Sequence, residues 1–508
     1  MVDLEYLKLS PWGKFAYNFK AFFKGLPAKL AGFFKAIPKK LYKFWLAFAG
    51  IFITIGRAAK DGDWRTRTSF AVMGFGQFTR KQFLRGFISL IFEVLFILYM
   101  VFFGGNYLAQ MGSLGEVAEV AVKDPLTDIT TYEYYDDSLL ILLYSLITIF
   151  IMVAFLYVWY QSVKGSFLSQ QFDEAHIPLP TDKDDIKSYA NENYHKTMLA
   201  VPVLGLVIFT VIPIVFMILI AFTNYGVDEQ NIPHIPPGDL FQWVGFENFA
   251  NLFGGGLASD SAKFAFTFGS VLLWTVIWAF FATFLNYILG MVVAIMINKK
   301  GIRFKKLWRT ILVITIAVPQ FVSLLFMSQI LADNGLINNL LQSWGWIDSY
   351  IPFLSTDGNI ARTMIIIINV WVGIPYSMLI CTGILMNIPE DLYESARIDG
   401  AGPVRAYMKI TLPYMLHVTT PYLITQFIGN LNNFNVIFLL SGGVPISGDL
   451  HNAGSTDLLI TWLYKLTFKY NEYGMASVIG IFTFVIVAVT SLILYNRSKA
   501  VRNEEEFM

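Results

Sequence analysis

Eight apolar runs, near 86–103, 139–160, 198–223, 268–297, 307–331, 364–386, 415–440 and 475–495, constrain this chain more than any other feature. About 20 residues of helix cross roughly 30 Å of hydrocarbon, and the runs have that scale. None alternates polar and apolar residues as a barrel strand does. The bilayer core has no water to satisfy open backbone groups, so what remains is a bundle of helices. The expected fold is all-α, a polytopic helical membrane protein of about eight transmembrane helices. Composition points the same way: 14% of the 508 residues are charged and 56% are hydrophobic, whereas soluble domains carry about 25% charged residues. The single cysteine, Cys381, excludes a disulfide-stapled secreted module. The shorter apolar run Phe44–Ile55 is flanked by lysines and is expected to lie in the membrane interface.

Lysine and arginine mark the cytoplasmic side. Segment 298–309 carries Lys299, Lys300, Arg303, Lys305, Lys306 and Arg309, and segment 387–414 carries Arg397, Arg405 and Lys409. Arg497, Lys499 and Arg502 follow the last run. Loops 105–137, 225–265, 333–360 and 441–472 hold only Lys123, Lys263, Lys465 and Lys469 between them. Both termini are therefore expected in the cytoplasm. Loop 161–195 falls on the same side despite its acids, which count for little in this rule.

Residues 6–60 contain eleven Lys or Arg and no acid, interleaved with aromatics. The near-repeat Phe22-Phe23-Lys24-Gly25-Leu26-Pro27 and Phe33-Phe34-Lys35-Ala36-Ile37-Pro38 suggests short amphipathic helices broken at the prolines. Such helices suit an anionic membrane surface, so the expected partner of residues 1–80 is lipid and not nucleic acid. Residues 81–195 then supply two additional spans. The start is too polar and lysine-studded for a cleavable signal peptide.

Bond chemistry has no visible machinery. A P-loop needs Gly-x4-Gly-Lys-Ser/Thr, but the only Gly-Lys pair, Gly13-Lys14, precedes Phe15. His176, His195, His234, His417 and His451 make no i,i+4 pair, and no Gly-x-Ser-x-Gly elbow occurs. Neither a catalytic residue, a cofactor nor a metal site is expected.

The cytoplasmic stretch 387–414 is the most informative. Pro389 starts a helix whose first turn carries Glu390 and Asp391, which suit the positive dipole there. Gly400 can end that helix in a left-handed conformation, and Pro403 opens a second short helix expected to stop at Pro413. The ordered pattern is Glu394-Ser395-Ala396, three residues, Gly400, nine residues, Ile410-x-Leu412-Pro413. It resembles the coupling loop, or EAA loop, of ABC importer membrane subunits. Phe222-Thr223-Asn224-Tyr225, Val244-Gly245-Phe246-Glu247-Asn248-Phe249, Asp399-Gly400-Ala401-Gly402-Pro403 and Asn432-Asn433-Phe434 extend the resemblance over roughly 198–508, within a transport core taken as 196–508. That region is similar to the larger membrane subunit of maltose and maltodextrin importers. The resemblance implies a six-helix transport core and a coupling helix that docks on a cytoplasmic ATPase. It gives Glu394 the docking carboxylate, with Ser395, Ala396, Asp399 and Gly400 shaping the contact; Ser395 stands where the motif usually has alanine.

Two spans carry polar groups at mid-depth, where they are costly. Gly373-Ile374-Pro375-Tyr376 lies inside 364–386, and Gln426, Asn430 and Asn433 fall at i, i+4 and i+7 within 415–440. An unpaired amide facing lipid costs on the order of 2 kcal/mol or more, so these residues must face protein or a wet cavity. Amides suit vicinal hydroxyls and an aromatic ring covers the apolar face of a sugar; interhelical hydrogen bonding is the other reading. The resemblance implies sugar contacts at Val372, Gly373, Tyr376, Asn430 and Asn433, and Gln426 replaces a smaller polar residue of the family. Gly429 stands where the maltose-type pattern has an aromatic.

The expected function is that of a permease subunit in an ATP-driven importer of maltose or maltodextrin-type oligosaccharides, in a bacterial cell membrane. Its implied partners are a second, unlike permease subunit, a homodimeric cytoplasmic ATPase and an external sugar-binding protein. A permease for another neutral oligosaccharide and an ATPase-independent secondary transporter are the alternatives.

Overall fold

The structure, a computed structural model, describes residues 45–497 except 47, 120, 124–129, 133–134, 228–232, 237–238, 257–259 and 300. The near-repeat at 22–38 and the last basic residues, Lys499 and Arg502, lie outside the described residues. So do Phe44 and Ala47 of the expected interfacial run, whose remainder belongs to a helix that continues through residue 61.

Among the described residues six helices are long and apolar enough to cross a bilayer, and two bent pairs bring the number to as many as eight. In chain order they are α1 (Phe83–Gln110), α2 (Ser138–Glu174), α3 (Tyr194–Ile220), α4 (Ser261–Asn298), the pair α5 (Lys305–Ala317) and α6 (Gln320–Ile330), α7 (Gly358–Leu385), the pair α9 (Pro403–Leu431) and α10 (Phe434–Leu440), and α12 (Tyr473–Asn496). Between them lie α8 (Glu390–Ile398) and α11 (Leu459–Phe468). Strand is confined, among the described residues, to two short antiparallel pairs. The chain divides into two units, Met1–Met111 with Leu143–Thr210, and Gly112–Leu142 with Val211–Met508.

In the first unit, α2 presents Ser162, Ser166 and Gln170, spaced i, i+4 and i+8, to the segment 63–82. Ser162 Oγ accepts from the Gly74 N–H at 3.0 Å, and Gln170 Oε1 accepts from the Asp63 N–H at 2.8 Å. Asp63 caps the helix Trp64–Thr68 and pairs with Arg80 at 2.7 Å, where the Arg80 side chain is 1% exposed. Burial pushes the Asp63 carboxyl up, but hydrogen bonds from Thr66 and the charge of Arg80 outweigh it and hold it below its ordinary value. Glu93 sits inside the apolar helix α1, where a carboxylate is costly, and its Oε2 accepts from the Met73 N–H at 2.8 Å. The rest of α1 exposes Phe87, Ile91, Leu95, Leu98 and Phe102, a face that only lipid or another apolar surface can cover.

The second unit is threaded on α4. Three buried clusters follow one another along it. Phe264, Phe268 and Val271 meet Trp462 and Ile479; Trp274, Trp278 and Ala282 meet Leu324, Ile365 and Ile437; and Tyr287, Met291 and Ala294 meet Met378, Cys381 and Met415. Gly290 allows α7 its close approach, because a Cβ there would lie 2.5 Å from the Ser377 Cβ.

Two spans expected to be continuous are broken. The run 307–331 bends by 90° between α5 and α6. Pro319 cannot donate to a helix and drives Val318 to an extended conformation with ψ 122°, so the chain passes Thr315–Ala317 as a tight turn and starts again. The run 415–440 begins earlier, at Pro403, and bends by 47° between α9 and α10. The short second helix expected to stop at Pro413 does not stop. A π turn at Tyr407–Thr411 widens the helix just before the proline, and the chain runs on to Leu431. The same device recurs in α3, with a π turn at Val207–Val211 just before Pro213.

Between α10 and α12 the chain is braced by Asp457, whose side chain is fully buried. Its carboxylate accepts from Lys465 Nζ at 2.6 Å, the Gly454 N–H at 2.7 Å and Thr461 Oγ1 at 2.9 Å. Lys465→Met leaves that carboxylate without its cation and is expected to cost about 3 kcal/mol, since breaking a buried pair strands a charge. The check is the midpoint of heat-induced aggregation in detergent, expected to fall by several degrees; an unchanged midpoint contradicts the brace.

Candidate functional site

A cavity of about 650 Å³ lies where α4, α7, the α5–α6 break and the α9–α10 break converge. Thr315, Ile316, Val318 and Pro319 bring irregular backbone to its wall. Backbone that leaves the helix at membrane depth is tolerated only where it is buried in protein or borders a wet cavity, which accounts for a 90° bend inside an apolar run. All six residues singled out in the two mid-depth spans, Val372, Gly373, Tyr376, Gln426, Asn430 and Asn433, line this one cavity.

The amides do not form one helical stripe, as their spacing had suggested. Gln426 and Asn430 belong to α9, which ends at Leu431, and Asn433 caps α10 by accepting from the Val436 N–H at 3.2 Å. The bend turns Asn433 back toward Asn430, and its Nδ2 donates to Asn430 Oδ1 at 3.2 Å. Asn430 Nδ2 in turn donates to Thr283 Oγ1 of α4 at 3.0 Å. A directed chain of hydrogen bonds therefore orients both amides, and each keeps one N–H and one lone pair free by valence. Tyr376 and Tyr422 add two rings 6.4 Å apart, tilted by 48°.

Thr283, Asn286, Gln320, Ser323 and Asn369 also line the cavity and were not anticipated. Their signal was available: each is a polar residue inside an apolar run, the same criterion that marked Asn430. Gly373 is placed by Asn286, because a Cβ at 373 would lie 2.4 Å from Asn286 Nδ2. Gly429 has open space around its missing side chain. No Asp, Glu, Lys or Arg is among the cavity's lining residues, so the wall offers hydroxyls, amides and rings without fixed charge.

The stretch 387–414 forms a helical hairpin. Pro389 caps α8, Glu390 and Asp391 occupy its first turn, and Gly400 takes φ +74°. The Ala401 N–H bonds to the Ala396 carbonyl at 2.8 Å and the Gly400 N–H to the Arg397 carbonyl at 3.1 Å, a Schellman closure that needs glycine at that place. Glu394, Ser395, Asp399 and Gly400 are exposed, and Ala396 is half-buried. Ile398 and Val404 are 86% and 76% exposed, an apolar face on either side of the turn. Tyr393 Oη and Thr411 Oγ1 are 2.8 Å apart, tying α8 to the π turn of the following span.

Helices broken around an uncharged polar cavity, with an exposed amphipathic hairpin at one end, suit the passage of a solute more than bond chemistry. Residues 286–503 match the family described as binding-protein-dependent transport system inner membrane component. The chain is 35% identical over 436 residues to the galactooligosaccharides transport system permease protein GanP of Bacillus subtilis, covering 85% of this chain and 97% of that one. It is 32% identical over 444 residues to the maltodextrin transport system permease protein MdxF of the same organism, covering 85% and 95%. Identity to the maltose/maltodextrin transport system permease protein MalF of Escherichia coli is 35% over 255 residues, covering 49% of this chain and 48% of that protein. The chain belongs to this family and is a multi-pass sugar ABC importer permease.

Proposed function

We propose that this chain is the larger of two unlike membrane subunits of an importer for neutral oligosaccharides of the maltodextrin type. In this reading 196–508 is the transport core, 81–195 adds two spans, both termini are cytoplasmic, and 1–80 rests on the membrane surface. The observation that carries it is the uncharged wall of the cavity, where Asn430, Asn433, Gln426 and Tyr376 present amides and a ring. Amides donate to and accept from vicinal hydroxyls, and a ring face covers the C–H side of a pyranose. Val372 and Gly373 complete the contact surface, with Gly373 keeping the wall low.

A galactooligosaccharide is the second reading. It is favoured by Gly429, which leaves open the place where the maltose-type pattern has an aromatic platform, and by the likeness to GanP. Competition decides between them. Unlabelled maltotriose, galactobiose and a uronic acid oligosaccharide are tested against uptake of labelled maltotriose by cells expressing the importer. Maltotriose is expected to compete and the charged sugar to fail; equal competition by the charged sugar contradicts a neutral site.

Glu394, Ser395, Ala396, Asp399 and Gly400 form the docking surface for one copy of a homodimeric cytoplasmic ATPase in this proposal, and an external binding protein delivers the sugar. ATP-driven closure reaches the spans through α8. The Tyr393–Thr411 hydrogen bond is a direct side-chain link from α8 to α9. Tyr393→Phe and Thr411→Val each remove it, at about 1 kcal/mol, and are expected to raise the ATP hydrolysed per sugar imported by about fivefold. The double variant is expected to match either single one; additive effects contradict a shared bond.

A further inference from the structure

We infer that Asn286 of α4 is a solute-binding residue whose side-chain carbonyl is held in reserve for a sugar hydroxyl. The inference deepens the sugar reading of the same cavity and rests on it. Asn286 Nδ2 donates to the Ala282 carbonyl at 2.8 Å, which fixes which end of the amide is which. Its Oδ1 is buried and has no hydrogen-bond partner among the described residues. Asn286 nonetheless borders the cavity, beside Thr283 on its own helix and opposite Val372 and Gly373 on α7.

Buried polar atoms are nearly always paired, so an orphaned acceptor at a cavity wall needs an explanation. Packing explains why nothing in the protein reaches it. The carboxamide lies flat against Gly373, where a Cβ would come within 2.4 Å of Nδ2, 2.8 Å of Cγ and 3.0 Å of Oδ1. Any side chain at 373 would therefore collide with the amide where it stands and displace it. Glycine at 373 is what lets the amide keep its place at this wall. The neighbouring amides differ: Asn430 and Asn433 are bonded to Thr283, to each other and to a backbone N–H, so their acceptors are already partly used. Of the four asparagines that line the cavity, Asn286 alone has a buried acceptor with no partner among the described residues. A polyhydroxylated neutral solute is the ligand class that brings donors in any orientation, and a hydroxyl binding here would bridge α4 to α7 across Gly373.

The test uses the complete importer reconstituted in proteoliposomes, with labelled maltotriose and galactobiose as probes. Asn286→Leu removes the acceptor at similar volume. Its half-saturating sugar concentration is expected to rise about tenfold, with maximal uptake changed less than threefold. Asn286→Asp is isosteric, and its neutral acid, which burial favours, can still donate to the Ala282 carbonyl while presenting an acceptor, so half-saturation is expected to stay within about threefold of the parent. If Asn286→Leu assembles poorly, Asn286→Ser, which is smaller than the parent and too short to reach the hydroxyl, replaces it with the same expectation. Unchanged half-saturation in an assembled Leu or Ser variant overturns the inference, as does equal loss in Asp and Leu. Parent proteoliposomes that import neither sugar overturn the sugar reading instead, so the two failures are separable.

Discussion

Gly373→Val is expected to reduce sugar uptake by one to two orders of magnitude while leaving the subunit in the membrane. The helical position itself tolerates valine at modest cost. The steric demand is what matters, because a Cβ at 373 would already lie 2.4 Å from Asn286 Nδ2 and 2.8 Å from its Cγ. Two further methyl groups cannot fit unless α7 moves away from α4 or the amide is driven into the cavity. Overpacking of this kind costs about 1–3 kcal/mol, and each 1.4 kcal/mol is a factor of about ten. Either displacement also breaks the geometry around Thr283, Asn430 and Asn433. Gly373→Ala should fall between valine and the parent. Uptake of labelled maltotriose, normalised to the amount of assembled complex, is the measurement. Parent-level uptake by the valine variant contradicts the tight contact at this wall.

Glu394→Lys is expected to abolish assembly with the ATPase and, with it, ATP-driven uptake. The side chain is exposed on α8, so within this chain the substitution acts on a surface position, where effects are usually within about 0.5 kcal/mol. Across a docking interface the same change replaces a carboxylate by an ammonium opposite whatever cation it meets, and disrupting a buried, hydrogen-bonded charge pair costs about 2–5 kcal/mol. The parent carboxylate lies one turn before Ile398, which is 86% exposed and on the proposed reading would give the contact its apolar part. Membrane yield should stay normal while the ATPase no longer co-purifies. Retained co-purification with full uptake would remove Glu394 from the coupling surface.

Much of this architecture was legible because it rests on length and hydropathy alone. The apolar runs at 86–103, 139–160, 268–297, 364–386 and 475–495 each coincide with one long helix, since a helix is the one open structure lipid permits. The hairpin was legible for a different reason: Pro389, Gly400 and Pro403 each restrict the backbone locally, and the Schellman closure at Gly400 follows from neighbours within six residues. What was illegible depends on partners distant in sequence. Pro319 could have kinked a span or broken it, and only the cavity beside it explains a 90° bend. Pro413 looked like a stop, yet the π turn before it lets the helix continue. Asn433 shared a helical period with Asn430 but sits on the far side of a bend, and the two still meet because the bend folds one toward the other. Thr283 and Asn286 were visible as polar residues in an apolar run, but their relevance depended on α4 lying beside α7 and α9.

The central claim is that energy from a separate nucleotide cycle moves these helices around an uncharged solute. It is tested most directly in sealed proteoliposomes carrying this chain, its partner permease and the ATPase, with ATP inside and sugar-loaded binding protein outside. Labelled maltotriose should accumulate above its external concentration only when hydrolysable ATP is present, and Glu394→Lys should prevent it. Entry that merely equilibrates, or that proceeds equally without ATP, contradicts the account.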